Sequence, residues 1–260
     1  MLFPNTDLIS DPRMRVPTFV TSRDGIKDAA IFEELSPDEL RLVISRASVR
    51  AAPKGAFLFV QGEPAGEMFL LESGSVRLNE ITADGRELLI RFVRPGEVYG
   101  DRAAIAGAEY GASAVSETPV RTYAWTTGMI KALLNEVPQL ATNLFAITTR
   151  YLHYSRERYR LLATASAERR IRWALADLAR RIGSSNGNAT VVTGRSVQRD
   201  IADLAATTVY TVNRVLGGYE RRGLLTKKRG RIVLFGTLLM NQGTTRLLAW
   251  SRLPKWKKTR

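Results

Sequence analysis

Cysteine is absent from this chain and histidine occurs once, at position 153. These absences remove disulfides, thiolate nucleophiles, cysteine-ligated iron–sulfur clusters and Cys/His zinc sites, along with any Ser-His triad not built on His153. No stretch approaches about 18 uncharged apolar residues, so no membrane-spanning helix is expected. The N-terminal MLFPNTDLISDPRMRVP carries acids and prolines where a signal peptide needs a basic start and an apolar core. A soluble, cytoplasmic protein with no membrane partner is the expectation. What is present is ordinary for one or two globular domains: 260 residues, 45% hydrophobic and 25% charged.

Charge is unevenly placed. Residues 1–149 hold 15 Lys/Arg against 19 Asp/Glu, a net of −4, and residues 150–260 hold 24 against 6, a net of +18, which together give the +14 of the whole chain. A mildly acidic half joined to a strongly basic one suggests a sensing or interaction domain fused to a binder of polyanions, with nucleic acid as the partner. A basic surface kept for solubility alone is the bland alternative.

Residues 1–30 contain Pro4, Pro12 and Pro17 with little periodicity and read as an extended arm. Ser36-Pro37-Asp38-Glu39 then supplies a capping hydroxyl, a proline at the first helical position and an acid able to reach back, which predicts a short helix through about Ala47. From Pro53 to Trp125 short β-type runs alternate with turn glycines: FLFV, MFLL, SVRLNEI, ELLIRFV, EVYG, SAVS and VRTYAW. Strands recurring every 8 to 12 residues argue for an antiparallel roll or small barrel, able to hold one small ligand. Asp84-Gly85 predicts a two-residue hairpin turn.

Pro138 opens a long helix to about Leu162 with two apolar stripes. One follows Leu140, Leu144, Ile147, Tyr151, Tyr154 and Leu161; the other follows Ala141, Phe145, Thr148, Leu152, Ser155, Tyr159 and Leu162. Two such faces need two partners, so one is expected to pack on the roll and the other on a symmetry mate, giving a C2 homodimer. Residues expected to serve the dimer are Leu144, Ile147, Thr148, Tyr151, Leu152, Ser155, Tyr159 and Leu162. The alternative is a single helix buried on both faces within one protomer. A hinge is placed at 163–167, and a helix ERRIRWALADLARRIG is expected to end at Gly183 in a left-handed conformation, followed by a loop SSNGNAT. Ser196 to Ala206 and Thr208 to Arg222 are two helices joined by a brief turn, a helix-turn-helix, and LLTKKRGRIVLF is two β runs around a basic turn at Arg229-Gly230, suited to lie along phosphates.

This order of parts resembles the CRP/FNR family of bacterial transcription regulators over about residues 31–236. The blocks FVQGEPAGEMFLLESGSVRL and DGRELLIRFVRPGEVYGD in the roll, and DIADLAATTVYTVNRVLGGYERRGLL in the basic half, carry the resemblance. It implies an α+β chain: an antiparallel β-roll of the cyclic-nucleotide-binding, jelly-roll type (31–137), a dimerisation helix (138–162), the hinge, a winged helix-turn-helix (168–236) and a basic tail (237–260). The implied function is a homodimeric, sequence-specific regulator of transcription binding a palindromic double-stranded DNA operator, with RNA polymerase expected as a partner and no catalysis. The second helix of the pair becomes the recognition helix, with Thr208, Val209, Tyr210, Asn213 and Arg214 toward base edges. Positions 209, 210 and 214 match the family's Arg, Glu and Arg readers, so Arg214 keeps a guanine reader while Val209 and Tyr210 depart, and the usual family half-site is not expected. Ser196, Gln198, Arg199, Thr207, Lys227, Lys228, Arg229 and Arg231 are the expected phosphate contacts.

For a ligand, the resemblance points to Tyr99, Gly100, Asp101, Arg102 and Ala103 in the roll, with Tyr151, Ser155 and Arg156 on the long helix facing a purine. The family's phosphate-clamping Arg and its neighbouring hydroxyl align with Gly111 and Ala112. Without them a cyclic phosphodiester loses charge-assisted bonds worth about 1.5–3 kcal/mol each, so ordinary cyclic-AMP activation is not expected, unless Arg102 substitutes. Any effector is left unidentified. His153 reads as a partly exposed helix residue rather than a haem ligand, and an iron–sulfur cluster is barred. The tail, with Trp250 and Trp256 among basic residues, reads as a solvated terminus, with DNA backbone or a membrane surface as alternatives. The competing function is a nucleotide- or haem-sensing module acting through a protein partner; an enzyme has no convergent acid/base cluster, phosphate loop or metal set in its favour.

Overall fold

The computed structural model describes residues 24–186, 189–194, 196–228 and 230–235. In chain order these form α1 (Asp24–Lys27), a 3-10 turn (Ala30–Phe32), α2 (Pro37–Ser45), β1 (Ser48–Ala52), β2 (Phe57–Phe59), β3 (Glu67–Ser73), β4 (Val76–Ile81), β5 (Glu87–Val93), β6 (Val98–Tyr99), α3 (Asp101–Ala106), β7 (Ser113–Ser116) and β8 (Val120–Thr126). There follow α4 (Thr127–Glu136), α5 (Pro138–Thr164), α6 (Ala167–Ile182), β9 (Gly183–Asn186), β10 (Ala189–Thr193), α7 (Val197–Leu204), α8 (Val209–Arg221), β11 (Leu225–Lys228) and β12 (Arg231–Phe235). Among these residues no helix is long and apolar enough to cross a membrane. Two compact units result, one of described residues 24–78 and 93–143, the other of 79–92 and 144–235, with the division passing through β4, β5 and α5.

In the first unit an antiparallel sheet runs in the order β1-β8-β3-β6, with Leu70 opposite Tyr123 and Val49 opposite the same tyrosine on the other side. A second sheet has the order β2-β7-β4-β5. Met68, Leu70, Leu71, Trp125, Ile130, Leu133 and Leu140 are buried, and the Trp125 indole nitrogen donates to the Val43 carbonyl at 2.9 Å. The expected capping box is present: Glu39 N donates to Ser36 Oγ and Ser36 N to Glu39 Oε2 at 2.8 Å.

Residues 24–30 correct the expectation of an extended arm. Ile26 and Ala29 are 5% and 4% exposed, and Asn143 of α5 donates to the Ile31 and Glu33 carbonyls at 2.9 and 2.7 Å, so apolar burial and a buried amide draw the segment into the fold despite its lack of periodicity. α4 also went unread, although Thr126 caps it by accepting from Met129 N at 3.3 Å.

Gly74, between β3 and β4, has φ +87°, and a β-carbon there would fall inside contact distance of the Pro119 carbonyl oxygen. That oxygen belongs to backbone and cannot swing aside. A Gly74→Ala substitution is expected to cost on the order of 3 kcal/mol in urea unfolding; a loss under about 1 kcal/mol would show that the turn relaxes freely.

In the second unit the β4–β5 turn differs from the two-residue hairpin expected at Asp84-Gly85. Thr82 N donates to Arg86 O at 2.9 Å and Gly85 N to Thr82 O at 2.8 Å, closing a three-residue loop in which Gly85 alone has positive φ, +77°. One left-handed glycine closes such a loop, and Asp84 is left to bind Thr82 and Arg86 with its carboxylate. β9 and β10 replace the expected loop after α6, and with β11 and β12 they make a sheet in the order β11-β12-β10-β9. Gly183 is correspondingly extended (φ −74°, ψ 139°) rather than left-handed. Glycine is needed there for clearance, because a β-carbon would strike the Ala179 carbonyl oxygen and the Thr190 methyl.

Candidate nucleic-acid interface

α6, α7 and α8 each bury one face in a common core: Ile171, Trp173, Leu175 and Leu178 from the first, Val197, Ile201 and Leu204 from the second, Val212, Leu216 and Tyr219 from the third, with Leu225, Ile232 and Leu234 beneath. The turn between α7 and α8 spans 205–208. Thr207 N donates to the Ala202 carbonyl at 3.0 Å, and Ala206 is left-handed (φ +45°), its carbonyl taken by Arg170 Nη1 of α6 at 3.4 Å. Thr208 caps α8, its hydroxyl accepting from Thr211 N at 3.1 Å. Because Val212, Leu216 and Tyr219 point inward, the opposite face points out: Tyr210 is 76% exposed and Val209 41%, with Asn213 and Arg214 exposed one turn on. These four are brought together; the Thr208 hydroxyl is already committed to its cap. Gly217 and Gly218 follow, each costing about 1 kcal/mol relative to alanine in a helix interior.

β11 and β12 form the hairpin expected of a wing, Lys228 pairing with Arg231 across the tip and Gly230 at φ +69°. Lys228 and Arg231 are exposed, while Lys227 is half-buried and engaged by Glu220, which accepts from Lys227 N at 2.8 Å and lies 3.4 Å from its ammonium. Those bonds, the backbone one first, hold the Glu220 carboxyl below its ordinary value. Ser196 and Arg199 are exposed, Gln198 and Thr207 half-buried. Arg229 and the 237–260 tail lie outside the described residues.

The helix pair rests on a polar network that sequence reasoning missed. Asp177 of α6, 1% exposed, accepts from Arg181 Nε at 2.9 Å, from Arg180 Nη2 and from the Tyr154 hydroxyl of α5 at 3.0 Å. Arg181 also donates to the Phe92 carbonyl at 3.0 Å and lies over the Tyr154 ring, 5.2 Å from its centroid. Arg158 of α5 donates to the carbonyls of Ile90 (3.2 Å) and Asp203 (3.3 Å), so one guanidinium ties β5 to the end of α7. Burial, and then the Asp177 charge, push the Tyr154 phenol above its ordinary range. The available signal was an acid inside the apolar run ALADLARR, three and four residues before two arginines.

The long helix separates the two stripes read from its sequence. Leu140, Leu144 and Leu161 are buried, whereas Phe145, Leu152 and Tyr159, seven residues apart, are 75%, 66% and 74% exposed. Thr148 is exposed too, Ile147, Ser155 and Leu162 half-buried, and His153 and Arg156 exposed on the same helix. Tyr151 is half-buried under the Arg91 guanidinium, 5.7 Å from its ring centroid.

In the roll, Tyr99, Gly100, Asp101, Arg102 and Ala103 cluster where β6 meets α3. Tyr99 is 1% exposed and its hydroxyl donates to Thr122 Oγ1 at 3.2 Å; burial raises its phenol pKa. Its ring joins Phe69 (centroids 5.2 Å apart), Phe59 and Tyr110, the last two stacked at 3.9 Å. Gly100 closes this stack from behind: a β-carbon there would meet Glu67 O, the Tyr110 ring and the Phe59 ring at 3.2–3.3 Å. Asp101 is buried at the start of α3 and Arg102 exposed; Gly111 and Ala112 present no cation where the family clamp aligns. The ligand residues expected on α5 fall in the other unit.

Residues 49–137 match the cyclic nucleotide-binding domain family model. Over 217 residues, 84% of this chain and 97% of the relative, the sequence is 29% identical to the cyclic AMP receptor protein of Thermus thermophilus. Over 206 residues, 79% of this chain and 92% of the relative, it is 26% identical to a CRP-like cAMP-activated global transcriptional regulator of Mycobacterium tuberculosis. The crystal structure of a CRP-family transcriptional regulator of T. thermophilus superposes with a TM-score of 0.59 at 26% identity, covering 73% of this chain and 94% of that one. A roll that matches the cyclic nucleotide-binding domain, ahead of a winged helix-turn-helix and with these relatives, makes the chain a homologue of CRP-like transcription regulators.

Proposed function

We propose that two copies of this chain form a homodimer that binds a palindromic duplex DNA operator and regulates transcription, with RNA polymerase as its protein partner. The observation that carries the reading is the exposed first half of α8. Val209, Tyr210, Asn213 and Arg214 stand clear of a helix whose other face is buried, beside an exposed basic wing. Arg214 is the guanine reader, bidentate to O6 and N7, and Val209 packs on a thymine methyl. Lys228, Arg231, Arg199 and Ser196 lie along phosphates and fix the register. Two-fold symmetry through the exposed stripe of α5 sets the two recognition helices about 34 Å apart, one turn of DNA. The roll does not hold cyclic AMP in the family's usual way, since Gly111 and Ala112 offer no guanidinium or hydroxyl to its phosphate.

The test is a duplex selected from a random pool by the purified protein, titrated against salt. Affinity should fall steeply as salt rises, the mark of counterion release. Arg214→Ala should weaken the selected duplex by about 10- to 100-fold and relax sequence preference at one base pair per half-site, with random duplex binding unchanged. Salt-insensitive binding, or an Arg214→Ala variant with full selectivity, sinks the reading.

A further inference from the structure

The glycines in α8 have no internal reason to be glycine. Neither Gly217 nor Gly218 has positive φ, and a β-carbon on Gly217 would find only the tips of Arg221 and Lys227 at 3.8 Å, ordinary contact with flexible ends. On Gly218 it would meet only Arg221, at 4.0 Å. The fold therefore keeps the least favourable helix former short of proline, twice, in a helix it needs ordered. Tyr210, Arg214, Gly217 and Arg221 are spaced four, three and four residues apart, so they lie along one line of the helix surface, opposite the buried Val212, Leu216 and Tyr219. Gly218 sits off that line, where it borders a cleft with Ala167, Glu168, Arg214, Val215 and Arg222.

We infer that Gly217 is a clearance position, its missing side chain letting the α8 backbone lie close against the DNA so that Tyr210 and Arg214 reach base edges. A recognition helix puts its N-terminal side chains on base edges, Gly217 is the next outward position after Arg214, and glycine serves where a backbone must approach a ligand closely. Gly217 is thus a positioning residue for sequence reading, and the inference rests on the recognition-helix assignment above.

The experiment compares Gly217→Ala and Gly218→Ala in the full-length protein. Each should raise the thermal midpoint by about 2–4 °C, because alanine is the better helix former and nothing obstructs it. Gly217→Ala should nonetheless lose at least tenfold in affinity for the duplex selected by the unmodified protein while binding random duplex as before; Gly218→Ala should keep both affinities within twofold. A stiffer helix that binds worse is a result that internal packing alone does not produce. Gly217→Ala within twofold of the parent on the selected duplex overturns the inference, as does a lowered midpoint, or an equal loss in Gly218→Ala, which would trace to helix rigidity. If the parent protein selects no sequence at all, the recognition-helix assignment falls first and this inference with it.

Discussion

Leu152→Arg is expected to turn the proposed homodimer into monomers and to cut affinity for the selected duplex by on the order of a thousandfold, the scale of losing a linked second half-site. Leu152 is the middle of three large apolar side chains, Phe145, Leu152 and Tyr159, that recur every seventh residue and stand 66–75% exposed on one line of α5. That is the seam two helices need to pair across a two-fold axis. At the centre of such a seam an arginine meets its own symmetry mate, so like charges are brought together and desolvated at once. Because Leu152 is largely exposed within the protomer, the substitution should leave its circular dichroism unchanged. Light scattering checks the mass directly; a variant that stays dimeric moves the interface elsewhere.

Asp177→Ala is expected to destabilise the basic unit by about 3–5 kcal/mol, the usual cost of removing one partner from a buried ion pair. The carboxylate is 1% exposed and binds Arg180, Arg181 and Tyr154, so its removal strands the 12%-exposed Arg181 side chain and loosens the bond that group makes to the Phe92 carbonyl. Tyr154→Phe removes a single hydrogen bond and should cost about 1 kcal/mol. Replacing the pair together, Asp177→Leu with Arg181→Met, should recover much of the loss, since an apolar pair carries no stranded charge. The phenol adds a pH signature. Its folded-state pKa lies above the ordinary 10.0, so the stability it contributes is complete below pH 10 and is lost as pH climbs through the raised value; Tyr154→Phe should lack that alkaline limb. Urea unfolding, repeated across pH, reads all of these, and a cost under about 1 kcal/mol for Asp177→Ala would mean that the network is ornamental.

Local chemistry was legible in the sequence and long-range chemistry was not. Ser36 to Glu39 announce a helix start because the cap is made within four residues, and the wing is announced by two β runs around Arg229-Gly230. The helix from Thr208 to Arg222 could be placed because Val212, Val215, Leu216 and Tyr219 repeat at helical spacing, whereas its reading of DNA was implied only by the family resemblance. β9 was hidden because GSSN has the composition of a loop and becomes a strand only by pairing with Ala189 to Val192. The Asp177 network joins residues 92, 154, 177 and 181, and no window of sequence holds them together. The mixed burial of the expected ligand residues was equally out of reach: Tyr99 looks the same whether it lines a pocket or fills the aromatic stack with Phe59, Phe69 and Tyr110.

The bonds that Arg158 and Arg181 make to β5 carry one more consequence. Among the described residues β5 ends its sheet, and the carbonyls of Ile90 and Phe92, two residues apart, accept from Arg158 and Arg181 rather than from a further strand. An unguarded margin of this kind, flanked by ELLIRFV, is a template on which a foreign chain can add itself and start a fibril. Two guanidinium groups occupy those acceptors instead, so the arginines that brace the fold also guard an apolar strand against the addition of another chain.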